Sequence, residues 1–207
     1  MKVLLVNASP HQQGNTYIAL NEIAQQLAKN DIESEIVQVG AKPVRSCIAC
    51  NQCLMRNLKR CVFDDDVCNS ISALMASCDA FVIGSPVYYG QPTGAAMSLV
   101  QRMFYSAGHA FRDKPAASVA VCRRGGATAA FQTLNMPFMM MNMPVVTSQY
   151  WNIVYGMTPG QAALDAEGLQ TMRTLADNMA HLLRRLHAPG GDPVPEREPW
   201  QPTHFIR

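Results

Sequence analysis

Residues 2–16 read KVLLVNASPHQQGNT, and this stretch decides the fold. Val3 to Val6 is a continuous apolar run without alternation, the pattern of a strand buried on both faces of a parallel sheet. Asn7, Ala8, Ser9, Pro10, His11, Gln12, Gln13 and Gly14 form a polar, turn-rich loop. A helix starts near Asn15 or Thr16, with Leu20, Ile23, Ala24 and Leu27 on one apolar face. Strand, loop and helix in this order open a parallel α/β sheet.

The alternation continues outward. Strands are expected at residues 34–39, 80–84 and 116–122, with a weaker fifth within 145–154. Ser85-Pro86 is expected to stop the third. Asp64, Asp65 and Asp66 are expected to open a helix as cap and first-turn charges. Further helices are expected from Gly94 to about Tyr105, through a Met-rich segment broken around Pro137, and after Thr158. There Thr158, Pro159 and Gln161 suit a helix start. Leu169, Met172, Leu175, Met179, Leu182 and Leu186 then repeat at helical spacing. The fold class is therefore α/β, with one domain over residues 1–187. A tail over 188–207, with five prolines and no periodicity, reads as an extended arm or as disordered.

Composition narrows the function. A net charge of +2 is too small for a nucleic-acid footprint or a carrier steered by charge. No apolar run reaches the roughly 18 residues of a membrane span, and the N-terminus lacks a signal-peptide pattern. A cytoplasmic chain with reduced thiols is expected, so the seven cysteines suggest metal, cluster or redox use rather than a disulfide framework.

In an open α/β sheet the ligand sits beyond the carboxyl ends of the strands. The first such loop lacks the dinucleotide G-x-G-x-x-G and the Walker G-x-x-x-x-G-K-[ST] patterns. It offers Ser9, Asn15 and Thr16 around Gly14 at a helix start, where hydroxyls and backbone N–H groups suit a phosphate. A monophosphate without a lysine clamp fits FMN better than ATP. The second loop, Pro86, Val87, Tyr88, Tyr89 and Gly90, supplies apolar and aromatic walls for a flat ring. The third, Arg123, Arg124, Gly125 and Gly126, brings backbone N–H groups and positive charge, which stabilises an anionic reduced flavin.

The pattern Asn7-Ala8-Ser9-Pro10, Gly14-Asn15-Thr16, Ser85-Pro86-Val87-Tyr88-Tyr89-Gly90 and Gln101-Arg102 resembles the NADPH-dependent FMN reductase branch of the flavodoxin-like superfamily. The resemblance spans roughly residues 1–186. It implies a three-layer sandwich with a five-stranded parallel sheet in the order 2-1-3-4-5, and FMN as cofactor. Ser9, Asn15 and Thr16 would hold the phosphate, and residues 86–90 would flank the ring. Gly125 and Gly126 would complete the site. Electrons would pass in two half-reactions from NAD(P)H to a small-molecule acceptor such as a quinone, flavin or nitro compound. Homodimers or homotetramers are implied. His11 departs from the basic Arg or Lys of many members.

Cys47, Cys50, Cys53 and Cys61 are spaced C-x2-C-x2-C-x7-C. Such compact runs wrap 4Fe–4S clusters, and the spacing resembles the iron–sulfur flavoproteins of the same superfamily. Structural zinc usually pairs two separated knuckles. Relatives with similar cysteines followed by C-V-x-x-D-D need not hold a cluster, so reduced structural or redox-active thiols stay open as a reading. An electron carrier between protein partners and a non-catalytic flavin-binding partner protein are the alternatives to a reductase. The methionines around 136–143 read as core or interface packing. Trp151 reads as a packed residue, or as a cap on a neighbouring subunit's flavin. His109 reads as structural.

Overall fold

The computed structural model describes residues 1–191 and 193–203. Five parallel strands form the sheet: β1 (Lys2–Asn7), β2 (Glu33–Gln38), β3 (Ala80–Tyr88), β5 (Ala116–Cys122) and β6 (Ile153–Tyr155). A two-residue strand, β4 (Gln91–Pro92), folds back antiparallel on β3. The order β2-β1-β3-β5-β6 is the one expected, with β4 added at the end of β3.

Successive residues of β1 face opposite layers, which explains its unbroken apolar run. Val3 and Leu5 join Leu20, Ile23, Leu27, Met172, Leu175 and Met179, so α1 (Asn15–Lys29) and α6 (Ala166–Leu186) cover one face. Leu4 and Val6 join Phe81, Leu99, Met103, Phe104, Phe111 and Phe138 on the other. That face is covered by α3 (Cys68–Met75), α4 (Gly94–Ala107) and α5 (Ala127–Met140). Phe81 meets Phe104, Phe111 and Phe138 edge-on or T-shaped at 5.4–6.2 Å. Truncating such a buried ring costs about 3–5 kcal/mol.

Four expectations need correction. Ser85-Pro86 does not stop β3, which runs to Tyr88. The β1 ladder ends at Asn7 opposite Gly84, so the missing Pro86 N–H deprives no neighbour. The Met-rich helix is not broken at Pro137 and continues to Met140. The proline lies one turn from the end and sacrifices a single ladder bond there. The Thr158–Gln161 motif does not start the last helix. Gln161 Oε1 accepts from the N–H groups of Met157 and Thr158 and shapes a short 3-10 turn, Gln161–Leu164. Asp165 is the cap of α6, accepting from Gly168 N at 2.9 Å. Finally, the acidic triplet does not charge the first turn of α3. Asp64 pairs with Arg60 four residues earlier, Asp65 with Arg45 and Asp66 with Arg102, so arginines claim the triplet, and only Asp66 also touches the helix start, accepting from Cys68 N at 3.0 Å.

The fifth strand touches β5 twice, through a bridge at Val145 and then through β6. In the tail, Arg197 pairs with Asp113 and Trp200 is exposed, while Asp192 and residues 204–207 lie outside the described residues. No described helix is long and apolar enough to cross a membrane.

Candidate functional site

The loop after β1 is shaped by its own side chains. Asn7 Oδ1 accepts from Ser9 N at 3.1 Å, and Ser9 Oγ accepts from His11 N at 3.1 Å. Gln38 on β2 fastens the turn from outside, donating to Ser9 O and accepting from Asn7 Nδ2. The loop delivers Gly14 as the cap of α1, with no side chain bonded to the helix end. An uncapped helix start among polar side chains leaves backbone N–H groups of the kind that suit an anion. Gly84 lets α1 approach β3 closely, since a Cβ there would lie 3.0 Å from Thr16 Cγ2.

The second loop is a tight hairpin. Tyr89 (φ 52°) and Gly90 (φ 77°) reverse the chain between β3 and β4. Thr93 ties this hairpin to the first loop. Its hydroxyl donates to Ala8 O at 3.0 Å and accepts from Ala96 N at 3.1 Å, capping α4. Its N–H donates to Ser85 Oγ at 3.0 Å. The third loop leaves β5 at Cys122 and turns at Gly126 (φ 85°). A Cβ on Gly126 would lie 2.7 Å from Gly90 Cα, so the second and third loops touch backbone to backbone.

These loops enclose a cleft of about 550 Å³. Ser9, Gly14, Asn15, Thr16, Pro86, Val87 and Tyr88 line it, as the sequence suggests. Tyr89 is fully exposed at the hairpin tip, and Gly90 is engaged against Gly126 rather than in the lining. Arg124, Gly125 and Gly126 line a neighbouring cavity instead, and Arg123 faces the cleft. The Asn15 amide is committed elsewhere: it donates to Thr158 O and accepts from Ala162 N. Only its backbone N–H is left for a ligand.

Sequence reading missed the fourth wall: Gly156, Met157 and Pro159. They follow the carboxyl end of β6, so the rule that flagged the other loops applies to them too. Treating Thr158-Pro159 as a helix start hid them. Cys122 also lines the cleft, and burial pushes its thiol up, which keeps it protonated near neutrality.

The cysteine loop forms a second centre. Cys47, Cys50, Cys53 and Cys61 all line one small cavity with Arg102 and Tyr105. Four of the eight described non-glycine residues with positive φ fall here, at Ala49, Asn51, Asn57 and Lys59, so the backbone winds tightly. Short α2 (Gln52–Met55) starts at Asn51, which accepts from the Tyr105 hydroxyl at 2.6 Å. Arg102 is 1% exposed. Its guanidinium donates to Cys61 Sγ at 3.4 Å, Arg45 O at 3.1 Å, Phe63 O at 3.0 Å and the Asp66 carboxylate. Ala49 N donates to Cys47 Sγ at 3.5 Å. Among the described residues no three His, Cys, Asp or Glu side chains converge as they would on a single ion. A cube differs, since it takes each thiolate at a separate corner. The four cysteines share the lining of one cavity, and N–H groups are directed at two of their sulfurs, Cys47 and Cys61. Burial pushes Cys68 up to about 11 and raises Cys78 as well; both are core thiols outside this cavity.

Known proteins resemble this chain over most of its length. An iron-sulfur flavoprotein of Methanocaldococcus jannaschii is 31% identical over 192 residues, covering 89% of this chain and 98% of that one. An iron-sulfur flavoprotein of Archaeoglobus fulgidus is 30% identical, covering 72% of this chain and 78% of its own. Among solved structures, RosB with bound 8-demethyl-8-formylriboflavin-5'-phosphate superposes with a TM-score of 0.70 at 17% identity, over 90% of this chain and 80% of that one. A flavodoxin, WrbA-like protein of Agrobacterium tumefaciens gives 0.63 at 14% identity, over 88% and 97%. The fold is flavodoxin-like. The family model for NADPH-dependent FMN reductase matches residues 1–158, and the chain belongs to that family.

Proposed function

We propose that the chain is an FMN-dependent oxidoreductase that takes electrons from NAD(P)H and passes them to a small-molecule acceptor such as a quinone, flavin or nitro compound. The observation that carries this reading is the cleft itself. An uncapped helix start lies at one end, Pro86, Val87 and Tyr88 form an apolar wall, and Arg123 adds positive charge. When bound, FMN supplies the redox chemistry. The chain's work is to bind and orient it. Ser9, Thr16 and the N–H groups following Gly14 would hold a phosphate. Pro86, Val87 and Tyr88 would fix a flat ring and exclude water from it. Arg123 would favour negative charge developing nearby.

The test is an anaerobic visible spectrum of the purified protein, with iron and sulfide assays, before and after NADPH. Flavin bands that bleach on addition support the reductase. A colourless protein that cannot be loaded with FMN ends the reading.

A second reading is favoured by the cysteine loop. Cys47, Cys50, Cys53 and Cys61 would hold a 4Fe–4S cluster, which supplies one-electron chemistry and would make the chain a carrier between protein partners. The relatives named iron-sulfur flavoproteins support it. About four iron and four sulfide per chain is the expected result; iron-free protein from anaerobic preparation would reject it. For assembly we propose a homodimer or homotetramer. Met136, Met139 and Met140 leave an exposed apolar face on α5, and light scattering gives the mass directly.

A further inference from the structure

The cleft has a neighbour on the far side of the β5–α5 loop. This second cavity measures about 520 Å³. Consecutive residues divide the two spaces: Arg123 lines the first and Arg124 the second, Gly156 the first and Tyr155 the second. One extended molecule crossing that loop would occupy both.

The second cavity offers three kinds of group. Tyr150 and Trp151 form an aromatic wall, with ring centroids 5.1 Å apart, and both rings are more than half exposed. Arg124 and Glu167 line it too, and neither makes an ion pair among the described residues. Asp165, also in the wall, is already used: its two oxygens accept from Gly168 N and Tyr155 N. Aromatic faces stack on a planar base, a guanidinium grips phosphate, and a free carboxylate accepts from a ribose diol. Together these describe an adenosine diphosphate.

We propose that this cavity holds the adenosine-diphosphate half of the nicotinamide donor, with Trp151 against the adenine, Arg124 on the diphosphate and Glu167 on the ribose. The assignment rests on the reading that NAD(P)H feeds the cleft. It makes Trp151 a residue that binds donor rather than one packed in the core.

The experiment compares FMN-loaded wild type with Trp151→Ala and Trp151→Phe, using NADH, NADPH and reduced nicotinamide mononucleotide. The mononucleotide lacks the adenosine half and cannot reach the second cavity. Trp151→Ala should raise KM for the preferred dinucleotide roughly ten-fold, the size of a lost base–aromatic stack, with kcat near wild type. Trp151→Phe should restore most of it, and KM for the mononucleotide should be the same in all three proteins. An equal change for both donors, or none for either, overturns the proposal. Calorimetric titration with ADP-ribose separates it from the reading beneath it. No ADP-ribose binding overturns the cavity assignment even where NADH reduces the flavin. Binding that Trp151→Ala weakens, without flavin reduction by any nicotinamide, supports the cavity and overturns the donor reading.

Discussion

Arg102 on α4 donates from Nε to Sγ of Cys61, forty-one residues earlier in the chain, at 3.4 Å. The same guanidinium pairs with Asp66, and both side chains are at most 5% exposed. Arg102→Met would leave a buried carboxylate unmatched, and breaking such a pair costs about 3–5 kcal/mol. Urea unfolding of the variant should show a loss of that size. Adding Asp66→Asn should recover part of it. A loss below about 1 kcal/mol would mean that Arg102 does not hold the loop.

Gly126→Ala should damage the cleft more than Gly125→Ala. A Cβ at 126 meets Gly90 Cα at 2.7 Å, while one at 125 meets nothing within 4 Å. The positive φ alone costs about 1–2 kcal/mol. FMN titration should show affinity at least ten-fold weaker for Gly126→Ala and near wild type for Gly125→Ala. Equal affinities would show that the contact between the two loops does not shape the site.

Thr93→Val keeps the shape and removes the hydroxyl. The cap on Ala96 N and the bond to Ala8 O both go, at a cost of about 1–2 kcal/mol. Because Ala8 is the first residue of the phosphate-type loop after β1, FMN affinity should fall together with thermal stability. Lower stability with unchanged affinity would make Thr93 only a helix cap.

Acid should loosen the cysteine loop first. A hydrogen bond from Asn69, reinforced by Arg60, holds the Asp64 carboxyl below its ordinary value, and one from Arg45 does the same for Asp65. A depressed folded value means that the stabilisation is full above the unfolded value near 3.8 and is lost as pH falls through the folded ones. Both groups are exposed, so the effect is local rather than global. Hydrogen exchange over residues 42–66 should rise below about pH 4 ahead of exchange in β1 and β5. Simultaneous loss in all three would contradict this order.

The strands were legible where burial on both faces writes a continuous apolar run, as in β1 and β5. The first two site loops were legible because Ser9, Gly14, Thr16 and Pro86 to Tyr88 sit directly after such runs. What the sequence hid depends on partners far along the chain. Asp65 and Asp66 look like first-turn charges until Arg45, twenty residues before Asp65, and Arg102, thirty-six residues beyond Asp66, claim them. Asn15 looks like a phosphate ligand until Thr158 and Ala162, more than 140 residues on, take its amide. Arg123 and Arg124 are indistinguishable in a sequence, yet one backbone step sends them into different cavities.

The Arg102 clamp also sets an order of assembly. The four clustered cysteines are synthesised before the residue that fastens their loop. At about 5–20 residues per second, the forty-one residues between Cys61 and Arg102 take roughly 2–8 s to add. During that interval the thiols belong to an unfastened segment. The loop reaches its final shape only after α4 has been made and has docked, so any inorganic centre built there would wait until about half of the 207 residues have been added.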